Sequence, residues 1–165
     1  MKIRAEAAQD VDDIGLVTQA AFANAEHASG TEALIVSALR ESGALSLSLV
    51  AESDGKIIGH AGFSPVLIEK VDCGWLGLGP VSVLPTWQGK GTGSAMIREG
   101  LRRMAALGAK GCVVLGDPGY YRRFGFEQDS ALHFIGAPPE YFMRLRIADP
   151  MPAGKVTYHP AFYQH

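Results

Sequence analysis

Apolar positions along this chain change their period several times, and each change marks an element. Lys2 to Arg4 reads as a short strand. Val11, Ile14, Leu16, Val17, Ala20 and Ala21 then recur at helical spacing behind Asp10, an aspartate placed to cap a helix. Ser29 and Glu32 have capping-box spacing, and Leu34, Ile35, Ala38 and Leu39 continue as a second amphipathic helix that Gly43 ends. The period next shortens to that of strands. Residues 45–53 and 56–68 are apolar runs joined by Asp54-Gly55, a strong hairpin signal. Residues 75–84 form a fourth strand, interrupted by Gly77, Gly79 and Pro80, which places a bulge or an edge there.

Helical spacing returns from Gly91 to Leu107, where Ile97, Leu101, Met104 and Leu107 make one stripe and Arg98, Arg102 and Arg103 lie largely off it. Gly111 to Leu115 is a fifth strand, continuously apolar as if covered on both faces. A short helix over 118–124 follows, then strands around 126–135 and 141–147. The tail from Gly154, with Val156, Tyr158, Phe162 and Tyr163, docks as a last strand. The order β-α-α-β-β-β-α-β-α-β-β, with no repeat or linker, predicts one mixed α/β domain over 1–165.

The junction between the fourth strand and the long helix carries the chemistry. It reads Pro80-Val-Ser-Val-Leu-Pro-Thr-Trp-Gln-Gly-Lys-Gly-Thr-Gly-Ser94, with Gly89, Gly91 and Gly93 alternating just ahead of the helix. Glycines admit left-handed backbone and close approach of a ligand, and free N–H groups at a helix start bind anions. A phosphate or pyrophosphate suits such a cradle. A Walker-type loop is excluded because Gly91 follows Lys90, and the dinucleotide pattern Gly-x-Gly-x-x-Gly ends on Ser94 or Met96.

Composition narrows the partners. The chain is 47% apolar and 19% charged, enough for a sizeable core without disulfides, and its net charge of −2 gives no global attraction to nucleic acid or anionic membrane. Basic residues form no block interleaved with aromatics, so no nucleic-acid partner is expected. No stretch approaches the length of a membrane span and the N-terminus has no apolar signal segment, so a cytoplasmic protein is expected. Cys73 and Cys112 lie in apolar runs that read as strands, as buried reduced thiols do. His27, His60, His133, His159 and His165 have no paired ligand spacing, and no metal is expected.

Gln88-x-x-Gly91-x-Gly93 after an apolar strand resembles the acyl-CoA loop of the GCN5-related N-acetyltransferase (GNAT) superfamily. A second motif follows the fifth strand. Gly116-Asp-Pro-Gly-Tyr-Tyr-Arg-Arg-Phe-Gly-Phe126 contains Tyr121-x-x-x-Gly125-Phe126, which resembles the tyrosine motif of that superfamily. Its Gly-Asp-Pro-x-Tyr-Tyr-x-Arg-Phe-Gly-Phe wording is similar to a bacterial subgroup of predicted acetyltransferases. The two motifs stand in the right order and context, and the resemblance runs from Lys2 through at least Ile147.

The resemblance implies a GNAT-like fold with a mixed sheet, the fourth and fifth strands splayed and helices flanking it. It implies acetyl-CoA as co-substrate. The backbone of Val81 and Val83, with Ser82 between them, would pair with the pantetheine arm, and the N–H groups of Gln88, Gly89, Lys90, Gly91, Thr92, Gly93 and Ser94 would hold the pyrophosphate. Tyr121 matches the general-acid tyrosine, with Tyr120 beside it at the thiol end. Many relatives carry a glutamate near the fourth strand as base, but residues 75–84 contain no carboxylate. Glu26 or His27 in the loop between the first two helices could serve instead, or water relayed through His60 or Ser82.

The implied activity is N-acetylation of a small-molecule or protein amino group. Two alternatives stay open: a catalytically inactive CoA-binding sensor, or a transferase using another acyl group or a hydroxyl acceptor. A homodimer is left open. Acceptor pockets of the superfamily are built from the first two helices and the last strands, here residues 22–33 and 136–142, which offer Glu26, His27, Glu32, Glu140 and Tyr141.

Overall fold

A computed structural model describes residues 1–23 and 30–163. The elements, in chain order, are β1 (Lys2–Ala5), α1 (Val11–Phe22), α2 (Glu32–Glu41), β2 (Leu47–Ser53), β3 (Lys56–Pro65), β4 (Leu67–Ile68), β5 (Trp75–Val83), α3 (Thr92–Ala106), β6 (Gly111–Leu115), α4 (Pro118–Tyr121), β7 (Leu132–His133), β8 (Phe142–Arg146) and β9 (Gly154–Thr157). Six strands make one mixed sheet in the order β1-β2-β3-β5-β6-β8, and β4-β9-β7 make a second. Within the large sheet only β5 and β6 run parallel. The fold is a single mixed α/β arrangement with helices flanking the large sheet, as expected.

The sheet is covered on both faces. Leu49 and Val50 are neighbours on β2 and so point to opposite sides. Leu49 lies under α3 at Gly100, whereas Val50 packs with Ile14 and Val17 of α1 and Val36 of α2. Beneath α3 the core contains Ile97, Met104, Phe63, Val114, Phe126 and Met143. Gly100 lets α3 settle on β3, because a Cβ there would overlap the Phe63 ring. The Asp54-Gly55 hairpin forms as expected: both residues are left-handed, at φ 50° and 76°.

Several expectations are corrected. Asp10 does not cap α1 through its side chain. Its carboxylate accepts from the Ala7 N–H at 2.7 Å and pairs with Arg4 at 2.7 Å, so an ion pair has drawn it back to β1. The run 56–68 is not one strand. It breaks after Pro65, Val66 N–H bonds to Trp75, and Ile68 turns back on Val71 through left-handed Glu69 and Lys70. Val66, Ile68, Trp75, Val156 and Tyr158 then share a separate core, which pulls the tail strand β9 into the second sheet.

Residues 126–135 hold only a bridge from Glu127 to Arg144 and the two-residue β7. Asp129 interrupts the ladder by bonding the Ala131 N–H and the Arg144 guanidinium. Cys73 is half-buried and outside any strand, whereas Cys112 is buried in β6; both are free thiols. Ser29, of the expected capping box, lies outside the described residues. Among the described residues no helix is long and apolar enough to cross a membrane.

Candidate active site

Parallel pairing of β5 with β6 extends only from Trp75 opposite Gly111 to Leu78 opposite Val114. Beyond Leu78 the strands part, while β5 stays paired with β3 as far as Val83. The register shifts across Gly79-Pro80, between Ala61 and Phe63 of β3, so the interruption seen in the sequence is a real irregularity. Val81 to Val83 therefore lie where β5 has diverged from β6, available to an extended amide-bearing ligand. The Ser82 side chain does not join that edge: it is buried and reaches Thr18 of α1 at 3.4 Å.

The glycine loop starts where β5 ends. Gln88 ties the two together, its side-chain amide donating to the Val83 carbonyl at 3.0 Å. Its backbone N–H is turned toward Pro85 at 3.4 Å, so the free cradle begins one residue later than the sequence implied. Gly89 and Gly91 are left-handed, at φ 76° and 85°, and a Cβ on either would meet nothing within 4 Å. They thus combine a conformation that side chains resist with open space beside the backbone.

Helical bonding in α3 begins with Ala95 N–H to the Gly91 carbonyl at 3.0 Å, leaving the N–H groups of Thr92 to Ser94 without intrahelical acceptors. The helix dipole adds positive potential at the same place. These residues fit a pyrophosphate. Lys90 places its ammonium over the Trp87 ring, 5.3 Å from the centroid.

The two tyrosines divide between the neighbouring regions. Asp117 caps α4 by accepting the Gly119 N–H at 2.9 Å, and this short turn presents Tyr120 and Tyr121 in different directions. The Tyr120 hydroxyl meets Ser94 Oγ at 3.2 Å, on the loop side. Tyr121 instead lines a cavity of about 550 Å3 together with Leu78, Gly79, Pro80 and Val81 of β5. Burial first, then the neighbouring Tyr120 and Cys112, push its phenol up to about 12. It is therefore protonated near neutral pH and can give a proton but not take one. Gly116 is needed beside it, since a Cβ there would overlap the Tyr121 ring.

Beside β5, His60 of β3 heads a polar chain that runs through Ser48 of β2 to partly buried Glu6 and Arg40. His60 Nε2 is 2.8 Å from Ser48 Oγ, and Ser48 makes a short bond to Glu6, which Arg40 clamps at 2.9 Å. Burial raises the Glu6 carboxyl, but hydrogen bonds from Arg40 and Ser48 outweigh it and hold the group below its usual range. An ionised Glu6 only accepts, so Ser48 gives it its hydroxyl proton and accepts Nε2–H from His60. Nδ1 of His60 is then a bare acceptor, buried and without a partner. Burial lowers the imidazole to about 4, so it is neutral at pH 7.

Of the predicted site residues, Val81, Tyr121 and Glu32 line the cavity, and Tyr120 links Tyr121, at 5.0 Å between ring centroids, to Ser94 of the glycine loop, whose Gly93 lies beside Val83. Glu26 and His27 lie outside the described residues. Glu140 and Tyr141 do not line the cavity; they sit in an exposed turn near β8. Sequence reasoning missed Tyr158, Phe162 and Tyr163 of the tail as cavity residues. It also missed the Glu6–Ser48–His60 chain, since nothing in the spacing of residues 6, 48 and 60 joins them. Among the described residues no group of three or more His, Cys, Asp or Glu could hold a metal ion.

A strand that splays from its parallel neighbour into a glycine-rich helix start suits an extended ligand that ends in a pyrophosphate, and comparison with known proteins gives the family. Residues 44–128 match the acetyltransferase (GNAT) domain family. The uncharacterized N-acetyltransferase YhbS of Escherichia coli is 35% identical, with 98% of each chain covered. Its crystal structure, in complex with CoA, superposes with a TM-score of 0.90 over 99% of this chain and 92% of that one. A GNAT family acetyltransferase from Brucella melitensis, in complex with acetyl-CoA, is 51% identical with a TM-score of 0.88, covering 98% of this chain and 97% of that one. The chain belongs to the GNAT family of N-acetyltransferases.

Proposed function

We propose that the protein, acting as a single N-acetyltransferase domain, moves the acetyl group of acetyl-CoA to an amino group by direct attack in a ternary complex. The observation that carries this reading is the combination of three features: the splayed end of β5, the N–H groups from Gly89 to Ser94 that follow it, and Tyr121 in the cavity lined by Leu78 to Val81. The first would hold the pantetheine arm and the second the pyrophosphate. Both fix the thioester, and positioning supplies much of the rate in a transfer whose donor is already activated.

The amine nitrogen bonds to the acetyl carbon, the C–S bond breaks, and the departing thiolate takes the Tyr121 proton. A backbone N–H near Val81 faces the carbonyl oxygen as it gains charge. The amine gives up its own proton to Glu26 or His27, or to water relayed through His60. No covalent enzyme intermediate is required.

The absence of a carboxylate from β5 favours one competing reading, a CoA-binding sensor without catalysis. Thiol release from acetyl-CoA with a panel of amines separates them. Amine-dependent release together with acetylated product supports transfer. Tight acetyl-CoA binding with no amine-dependent release over the whole panel refutes it.

A further inference from the structure

Two cavities of the molecule share one wall. The first, of about 550 Å3, holds Tyr121 and is bounded by Leu78 to Val81 of β5. The second, of about 350 Å3, is lined by Gln128, Ser130, His133 and Phe142. Phe134, just after β7, is the one described residue that lines both. Its neighbours divide in the same way. Tyr158, which lines the first cavity, meets the Phe134 ring edge-on at 5.2 Å between centroids. Phe142, which lines the second, stacks on it at 5.6 Å.

The shared ring is held in place. Tyr158 and Phe142 are both buried, and Phe134 packs against the core that they form with Val66, Trp75 and Val156. Rings at these spacings attract one another beyond the burial of their surface. Gly136 adds a third constraint. A Cβ there would stand 2.6 Å from Phe134 Cε2 and 2.7 Å from Cζ, so the tip of the ring lies against the bare backbone of that glycine. A ring confined by two other rings and a backbone is a fixed partition, because packed interiors yield little.

We propose that Phe134 sets the length of acceptor that the protein takes: the carbon body of the amine ends against this ring, and the ring closes the second cavity to it. This deepens, and rests on, the acetyltransferase reading above. The ring of Tyr158 covers Gly77 of β5, and Phe134 stands one ring further from that strand. An acceptor that presents its nitrogen near Tyr121 and residues 78–81 therefore extends toward Phe134. One methylene too many then meets a ring that does not yield, and an apolar pocket discriminates by about tenfold or more for each methylene. Removing the ring would join the two cavities and offer Leu132 and Phe142 to a longer body. Gly89 to Ser94 line neither cavity, so the hold on the pyrophosphate is separate from this wall.

The test is kcat/KM with acetyl-CoA for benzylamine, 2-phenylethylamine, 3-phenylpropylamine and 4-phenylbutylamine, which differ by one methylene at each step. The native protein should lose about tenfold or more at one step, where the body reaches the ring. Phe134→Ala should carry that step to a longer amine. It should raise 4-phenylbutylamine by about tenfold or more relative to the best native substrate, with the KM for acetyl-CoA unchanged. Gly136→Ala tests the same wall without truncating an aromatic side chain. Gly136 has no positive φ, so alanine suits its backbone, and the added Cβ displaces the tip of Phe134. The step should move in this variant too.

A series with no step in the native protein, or a step at the same length in both variants, would overturn the role of Phe134 and leave the acetyltransferase reading standing. Equal losses on all four amines in Phe134→Ala would make the ring structural and refute the proposal, since a smaller folded fraction scales every rate alike. No turnover of any amine, with acetyl-CoA still bound, would overturn both readings.

Discussion

Protonation of His60 should set the acid limb of this protein's stability. The imidazole is buried, its Nε2 bonded to Ser48 and its Nδ1 without a partner, and burial lowers it from 6.5 to about 4. The unfolded chain therefore binds this proton more readily than the folded one. The stabilisation is fully present above 6.5 and is lost as pH falls from there toward about 4. At 1.36 kcal/mol for each tenfold change, the whole loss comes to about 3 kcal/mol, of which about 2 kcal/mol is gone by roughly pH 5. Urea unfolding at intervals between about pH 8 and pH 5 measures it. The midpoint of the native protein should stay level down to about pH 7 and fall from there toward pH 5, whereas His60→Gln should start lower and stay nearly flat. Asp10, held low by Arg4, and Glu6, held low by Arg40 and Ser48, contribute their own losses only below the ordinary carboxylate range. A His60→Gln protein that keeps the native slope would refute the reasoning.

The remaining expectations concern the loop, the tyrosine and the packing of α3. Gly91→Asp should abolish CoA binding by calorimetry, because a side chain and a like charge would enter the anion cradle; undiminished affinity would remove the loop from the site. Tyr121→Phe should lower kcat toward the low end of about 10²–10⁴-fold with little change in acetyl-CoA affinity. An equal loss in Tyr120→Phe alone would shift the role to the neighbouring ring. Gly100→Ala should lower the melting temperature, since overpacking against Phe63 costs about 1–3 kcal/mol. Gly15→Ala on α1, where a Cβ meets nothing within 4 Å, should raise it by up to about 1 kcal/mol of helix propensity. A rise in both would mean that space at Gly100 is not limiting.

The glycine loop and its helix start were legible because their parts are contiguous. Gln88 to Ser94 form one loop, and left-handed Gly89 and Gly91 advertise themselves by residue type alone. The tyrosine turn was legible for the same reason, with Asp117, Gly125 and Phe126 at fixed offsets. The far wall of the cavity was legible in part: Phe22, Glu32 and Gly136 fall within the expected segments 22–33 and 136–142, but the tail residues do not. Phe22, Glu32, Phe134 and Tyr158 meet only through tertiary packing, and the tail, which docks as the strand β9 as expected, does so in the second sheet and lays Tyr158 against Gly77 of β5. Where an apolar run was taken as one strand, at 56–68, tertiary contacts with that tail overrode the local pattern. Asp10 followed the same logic, leaving its expected cap for a cation on β1.

A crystal structure of the protein with a non-hydrolysable acetyl-CoA analogue tests the central claim most directly. The account predicts the pyrophosphate on the N–H groups of Gly89 to Ser94 and the pantetheine arm along Val81 and Val83. It also predicts the thioester sulfur within hydrogen-bond reach of the Tyr121 hydroxyl. A bound analogue whose sulfur faces Tyr120, or whose acetyl group lies outside the cavity between β5 and β6, would contradict it.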